Sequence, residues 1–137
     1  MQEFYLERIQ ELAPCELIET REARGIEEKF EERIKEVEAK GLEKHFKDDY
    51  IICLFDEGKE MSSLDFARFL EKLLLTSQRP ITFVIGGFLG LKDRILKSAD
   101  TVLSLSKMTF SHELCRVILL EQIYRSLAHI RGKQYPK

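Results

Sequence analysis

The sequence predicts a single α/β domain with a mostly parallel sheet and helices on both faces. Two continuous apolar runs, residues 50–55 and 81–85, indicate strands that are buried on both faces. Helical patterns alternate with these runs along the chain, as in parallel α/β proteins. With 137 residues, the chain is long enough to bury one sizeable core. We therefore expect residues 1–137 to form one domain.

The composition is that of a globular protein without a targeting or membrane segment. Hydrophobic residues make up 44% of the chain and charged residues 34%, and no apolar run approaches the roughly 20 residues that span a bilayer. The N-terminal pattern is amphipathic and acidic, unlike a signal peptide. Cys15, Cys53 and Cys115 lie far apart, without metal-ligand spacing. We expect free thiols in a reducing cytoplasm, no metal and no membrane contact.

Charge is distributed unevenly along the chain. Residues 1–60 carry 10 basic against 18 acidic side chains, whereas residues 61–137 carry 12 against 6. A basic C-terminal part favours contact with a polyanion. A solvated helix face with a charged tail explains the same counts, and composition alone favours that alternative.

The first half of the chain predicts two helices around a short strand. Residues 2–13 have apolar side chains at helical spacing, and Pro14 ends that helix because proline cannot continue it. Residues 15–20 have the pattern of a strand. A highly charged helix follows over residues 26–41, and we expect its charges to form a solvated face.

The second half alternates helices with strands. Ser62 or Ser63 can cap a helix, whose predicted buried stripe is Phe66, Phe69, Leu70, Leu73 and Leu74. After the strand at 81–85, the pattern predicts a short helix over 91–98 and a strand over 101–105.

A glycine turn, GGFLG at residues 86–90, follows the strand at 81–85. Its spacing differs from the G-x-G-x-x-G dinucleotide fingerprint, so by itself it indicates only a tight turn. Its position is more informative, because ligands of parallel sheets bind beyond the carboxyl ends of the strands. A polar loop at residues 106–109 lies between the last strand and the last helix, and we expect this loop to hold a cofactor.

The last helix, predicted over residues 111–130, is apolar on two sides. The helical period separates two sets of residues: Leu119, Leu120, Ile123 and Leu127 on one side, and Leu114 and Ile118 nearly opposite. A helix that is apolar on two sides is covered on two sides. One cover is the sheet and the other is the same helix of a second copy, so the pattern predicts a homodimer.

Three segments, taken in order, resemble one family. They are LFDEGKEMSS (54–63), VIGGFLGL (84–91) and LSLSKMTFSHELCRVILLEQIYR (103–125). Together they resemble the ribosomal large subunit methyltransferase H family of the SPOUT superfamily, over nearly all of the chain. The resemblance implies a C-terminal trefoil knot, which periodicity would not predict because knots are almost absent from proteins. It also implies an S-adenosylmethionine-dependent enzyme that methylates N3 of a pseudouridine in large-subunit (23S) rRNA on the assembled ribosome.

The resemblance implies that the cofactor pocket is formed by two earlier strands together with the loop before the last helix. The implied residues are Leu54, Gly86, Leu105, Ser106, Lys107, Met108, Thr109 and Phe110. Their chemistry suits the assignment, since apolar side chains can sandwich an adenine ring while loop backbone groups read its edge.

Catalytic and RNA-binding residues are implied on the last helix and in the tail. The catalytic candidates are His112, Arg116 and Tyr135, with His112 as the base; the RNA-binding candidates are Arg125, Arg131, Lys133 and Lys137. Two of these have simpler alternatives. His112 can satisfy backbone groups in the first helical turn, and Arg125 can pair with Glu121 one turn earlier.

The chain departs from the family pattern at two places. Pro136 stands where family members commonly have histidine, and the strand with which they begin is not found ahead of the first helix. Either the true start codon lies upstream, or the protein does without that strand. In the second case residues 15–20 would form an exposed apolar sheet edge.

Two other functions are compatible with parts of the sequence. A non-catalytic ribosome-binding dimer could keep the fold without the cofactor. A flavodoxin-like or receiver-type domain would need an acidic cluster or a phosphate loop at the strand ends. Asp56 and Glu57 are the only hint of such a cluster, and the glycine turn argues against it.

Overall fold

The computed structural model describes residues 1–20, 30–87 and 90–132. In chain order, the elements are α1 Gln2–Gln10, α2 Glu31–Glu43, β1 Tyr50–Glu60, α3 Ser63–Thr76, β2 Ile81–Val84, α4 Asp93–Ser98, β3 Thr101–Ser104 and α5 His112–Ile130. The three strands form one parallel sheet in the order β2-β1-β3. The predicted α/β class with a parallel sheet is confirmed.

Helices cover both faces of this sheet. Side chains alternate between the faces of a strand. Accordingly, Ile52 packs with residues of α1, α3 and α5, whereas its neighbours Ile51 and Cys53 pack with residues of α2 and α4. The continuous apolar run of β1 predicted this burial on both faces.

The helix starts follow the capping residues in the sequence. The Ser62 hydroxyl accepts a hydrogen bond from the Asp65 N–H (3.0 Å), and the Ser111 hydroxyl accepts one from the Leu114 N–H (3.2 Å). Each serine satisfies an N–H group that the first helical turn leaves unpaired. The predicted cap of α3 is therefore confirmed.

The predicted stripe of α3 needs one correction. Phe66 and Leu70 are buried, but Leu74 is 49% exposed. Successive helical residues lie about 100° apart, and the neighbouring Leu73 packs against the core instead.

Residues 15–20 do not form the predicted strand. They pair with no strand in the described ranges. The Gln10 side chain donates to the Cys15 carbonyl (3.0 Å), and Glu19 pairs with Arg116 of α5. The prediction was wrong because a favourable apolar pattern makes a strand only where a neighbouring strand supplies backbone hydrogen bonds.

β1 continues past its predicted end at Phe55, through a bulge. Leu54 and Lys59 both lie opposite Leu103 of β3, so residues 55–58 bulge out of the ladder. We call residues 55–58 the arch. Within it, Gly58 packs against Val102 and the Asp56 carbonyl accepts a hydrogen bond from the Ser104 hydroxyl (3.0 Å). The arch therefore lies against β3 between Val102 and Ser104.

Charged side chains link α2 to α4. Arg94 donates to the Glu43 carboxylate from Nε (3.1 Å) and from a terminal nitrogen (2.7 Å), and to Glu36 (2.8 Å). Lys92 Nζ lies 3.2 Å from Glu36. Hydrogen bonds from Arg94 and Lys92 lower the pKa of Glu36. The predicted solvated face of α2 is correct for Glu31, Glu32 and Glu43, which are exposed. It is wrong for Glu36, which is half-buried in the ion pairs with Lys92 and Arg94, and for Glu38, which is half-buried against the glycine turn.

α5 is buried on one side, as predicted. The buried residues include the predicted set Leu119, Leu120, Ile123 and Leu127. On the opposite side Ile118 is half-buried and Leu114 is 46% exposed. Among the described residues, no helix has both the length and the apolar character to cross a membrane.

Candidate active site

The parallel strands bring the predicted cofactor residues to one edge of the sheet. Cys53 lies opposite Val84 and Leu54 lies opposite Leu103, so Leu54 is level with the carboxyl ends of both neighbouring strands. Gly86 follows β2, and the loop 105–110 follows β3. Ligands of parallel sheets bind at this edge. That these residues bind a cofactor stays a prediction.

The glycine turn is tight, as its sequence predicts. The Gly90 N–H donates to the Gly87 carbonyl (3.0 Å), and Gly90 has φ +84°, which favours glycine. A β-carbon on Gly86 would lie 2.8 Å from the carbonyl carbon of Gly90. A side chain at Gly86 would therefore force the turn open. Residues 88–89 lie outside the described ranges.

Serine hydroxyls shape the loop after β3. Ser104 is buried, and its hydroxyl lies 3.0 Å from the carbonyls of both Asp56 and Ser106. The Ser106 hydroxyl accepts from the Met108 N–H (3.0 Å). Ser104 thus links the loop to the arch, while Ser106 folds the loop back on itself. The Lys107 side chain is exposed to solvent, and its ammonium lies 3.8 Å from the Glu60 carboxylate.

The chemistry of this edge suits a flat, nitrogen-rich ring. Leu54, Leu105 and Phe110 are half-buried apolar side chains. Within the described part of the chain, the N–H groups of Thr109 and Phe110 donate to no other backbone group. Apolar contact on the faces of a ring and N–H donors at its edge are the groups that recognise a base such as adenine.

Two clefts differ in their relation to this edge. A cleft of about 150 Å³ lies between α3, α5 and the end of β3, and Leu105 lines it. A larger cleft of about 390 Å³ lies at the opposite, amino edge of the sheet, and its lining includes Arg79 and Asp100 but no predicted site residue. We regard the carboxyl edge as the candidate site, because strand topology locates a site better than cleft size.

The catalytic candidates of α5 lie near its start. His112 begins the helix, with Nε2 3.0 Å from the Glu113 carboxylate. Arg116 lies one turn later, is 20% exposed at its side chain, and pairs with Glu19. Its Nε is buried and has no hydrogen-bond partner among the described residues. Arg116 therefore retains a donor that its present contacts do not satisfy.

The arginines predicted to bind RNA are engaged within the protein. Arg125 donates to Glu121 from Nε (3.1 Å), which confirms the intrahelical pair as a contact. Arg131 donates to the Leu12 carbonyl and so ties the ends of α1 and α5 together. The remaining candidates, Lys133, Tyr135 and Lys137, lie outside the described residues.

Three residues of this region escape sequence reasoning. Glu19 contacts Arg116 across 97 positions of sequence, Glu38 reaches the glycine turn, and Ser104 joins the loop to the arch. The first two look like ordinary solvated acids in the sequence. Ser104 offered a weak signal, since a polar residue at the end of an apolar strand needs a hydrogen-bond partner when buried.

Comparison with known proteins gives a consistent result. Residues 1–136 match the family described as "Predicted SPOUT methyltransferase". The chain is 42% identical over 123 residues to ribosomal RNA large subunit methyltransferase H of Clostridium beijerinckii, a match that covers 89% of this chain and 77% of that protein. Proteins of the same name are 40% identical over 131 residues in Thermodesulfovibrio yellowstonii (96% and 83% covered) and 39% identical over 139 residues in Clostridium tetani (98% and 87% covered).

Proposed function

This chain belongs to the SPOUT methyltransferase family, and on that premise we propose that it methylates N3 of a pseudouridine in large-subunit (23S) rRNA of the assembled ribosome, with S-adenosylmethionine as donor. The names of its relatives support an rRNA substrate. The observation that carries the proposal is the convergence of Leu54, Gly86 and the loop 105–110 at the carboxyl edge of the sheet.

The family's trefoil knot is part of the proposal. The arch supports it, because Gly58 packs against Val102 and the Asp56 carbonyl is bonded by Ser104. A close contact between an early segment and a later strand is compatible with a threaded chain. The knot would fix the loop 105–110 without a separate lid.

In the proposed site, Leu54, Leu105 and Phe110 would hold the adenine ring, and the Thr109 N–H would donate a hydrogen bond to its edge. Gly86 allows backbone to approach the ligand closely. The rest of the loop, Ser106, Lys107 and Met108, would lie around the ligand. When bound, S-adenosylmethionine supplies an electrophilic methyl group, so the protein has mainly to orient the two reactants.

The imide nitrogen of pseudouridine must lose its proton before it can attack. We propose that His112 takes up this proton as the base. The Glu113 carboxylate, 3.0 Å from Nε2 of His112, orients the ring. Arg116, one turn after His112, stabilises the negative charge that develops on the neighbouring carbonyl oxygens, because its guanidinium keeps a permanent positive charge. Tyr135 of the tail completes the catalytic set.

RNA contacts in this proposal come from Arg125, Arg131, Lys133 and Lys137, which position phosphates without reading sequence. The protein acts as a homodimer in the cytoplasm. The exposed Leu114 of α5 supports a second copy as its cover.

Two measurements test the proposal. Calorimetric titration of the purified protein with S-adenosylmethionine should release heat with a saturable, one-to-one isotherm. Mass spectrometry of 23S rRNA, taken from cells with and without the gene, should show one N3-methylated pseudouridine that depends on it. A protein that binds ribosomes but gives no heat with the donor would be the non-catalytic dimer instead, and a methyl group on another nucleotide would refute the target.

A further inference from the structure

We infer that Glu38 of α2 is a positioning residue that holds the glycine turn in the shape that binds the cofactor. This inference rests on the proposed function, because it concerns the turn that contains Gly86. It adds to the residues that build the site a carboxylate from α2, on the sheet face opposite to the one that α1, α3 and α5 cover.

The contact is direct. A β-carbon on Gly87 would lie 3.2 Å from both carboxylate oxygens of Glu38. The carboxylate therefore lies so close behind Gly87 that it would have to shift by a few tenths of an ångström to admit a side chain there. Glu38 is half-buried, and its Oε1 is shielded from solvent. The turn cannot relax toward α2 without displacing this group.

α2 is a rigid support for that contact. Ala39, the residue after Glu38, is buried in one apolar cluster with Val84 and Leu91, which flank the turn on either side. Arg94 and Glu36 further fix α2 to the chain that leaves the turn. The position of the α2 backbone at Glu38 is therefore set by packing against both sides of the turn, which is the way a supporting residue is held in a preorganised site.

Size complementation tests the contact. Four variants are compared: Glu38→Ala, Glu38→Gln, Gly87→Ala and the double variant of Glu38→Ala with Gly87→Ala. Glu31→Ala is the matched control, because Glu31 is exposed on the same helix. Dissociation constants are measured by calorimetry for S-adenosylmethionine and for its demethylated product, with kcat at saturating donor and urea unfolding alongside.

Glu38→Ala should raise both dissociation constants about tenfold while kcat at saturating donor stays unchanged. Glu38→Gln keeps the shape and should stay within about threefold of wild type, and Glu31→Ala should match wild type. Gly87→Ala should weaken binding in the wild type, because the carboxylate must shift by a few tenths of an ångström to admit the β-carbon. In the Glu38→Ala background it should weaken binding little further, because the space is then free.

Equal effects of Gly87→Ala in both backgrounds would overturn the inference, as would a Glu38→Ala variant that loses stability but binds normally. If the wild type itself binds no donor, the proposed function fails rather than the contact. In that case additive losses of unfolding free energy in the double variant would still refute the Glu38–Gly87 contact.

Discussion

Gly58 lies so close to Val102 that a β-carbon on Gly58 would come within 2.8 Å of the Val102 carbonyl oxygen. Two residues further along β3, the Ser104 hydroxyl donates to the Asp56 carbonyl. Both contacts join the arch to the strand that leads into the candidate cofactor loop. The same few atoms thus hold the arch against β3 at the point where the candidate loop begins.

Gly58→Ala should therefore destabilise the protein by roughly 1–3 kcal/mol, because the obstructing atoms are backbone and cannot move aside. It should also weaken binding of S-adenosylmethionine. Urea unfolding and calorimetry measure the two effects. Gly41→Ala is the control, since the nearest atom to its β-carbon would be Thr20 Cβ at 3.9 Å. In the interior of α2 that change should stabilise by about 0.5–1 kcal/mol. Wild-type stability of Gly58→Ala would contradict the close approach.

Local patterns predicted the helices and strands well where burial alone decides them. β2 and β3 each end one residue before their predicted ends at 85 and 105, and α5 begins directly after its cap, Ser111. The arch was not predictable, because its course depends on Leu54 and Lys59 meeting the same residue of β3. The predicted strand at residues 15–20 was wrong for the same reason, since a strand forms only where a second segment pairs with it.

In the candidate site, too, some features were predictable from the sequence and others were not. The order of the strands, together with the resemblance, was enough to expect Leu54, Gly86 and Leu105 at one edge. The charged contacts were not predictable, because Glu19 and Glu38 carry no local mark that separates them from solvated acids. Only the fold brings these carboxylates to Arg116 and Gly87.

The ion pairs between α2 and α4 predict a specific response to acid. The pKa of Glu36 is lowered chiefly by its hydrogen bond from Arg94 and then by that from Lys92. A lowered carboxyl pKa contributes stability above the pKa of the unfolded chain, and this stability is lost as pH falls through the folded value. Arg94→Ala should therefore be less stable at neutral pH and should lose less stability between about pH 5 and 3 than the wild type does. Urea unfolding across this range measures both.

Arg33→Ala, an exposed change on the same helix, should keep the wild-type pH profile. High salt should narrow the difference between Arg94→Ala and wild type, because these pairs are partly exposed. Identical acid profiles for Arg94→Ala and wild type would show that the network does not contribute.

Cys53 should be inert in the folded protein. Burial raises the pKa of its thiol to about 11, and the side chain is fully enclosed. The thiolate is the reactive form, so a disulfide reagent near pH 8 should modify Cys53 only as fast as the protein unfolds. Cys15 and Cys115 are half-buried, and burial also raises the pKa of each thiol. They should react first, as peptide mapping by mass spectrometry would show. Rapid labelling of Cys53 would contradict its burial.

His112→Ala tests the assignment of the base. If His112 takes the proton, the methylation rate on purified ribosomes should fall about 10²–10⁴-fold. The dissociation constant for S-adenosylmethionine should stay unchanged, because His112 lies on α5 beyond the cofactor loop. Glu113→Gln removes the charge that orients the ring and should cost less. Methylation at the wild-type rate in His112→Ala would eliminate His112 as the base.

Variants of Arg116 and Glu19 distinguish a catalytic role of the arginine from a structural one. Arg116→Ala removes both the ion pair and the proposed charge stabilisation, and should lower methylation about 10²–10³-fold. Glu19→Gln removes only the charge partner. It should preserve methylation while residues 15–20 exchange amide hydrogens faster, because their link to α5 is weakened. Hydrogen exchange and the ribosome assay on both variants distinguish the roles. If Glu19→Gln loses as much activity as Arg116→Ala, the arginine serves to hold the N-terminal segment, and its role in the reaction is refuted.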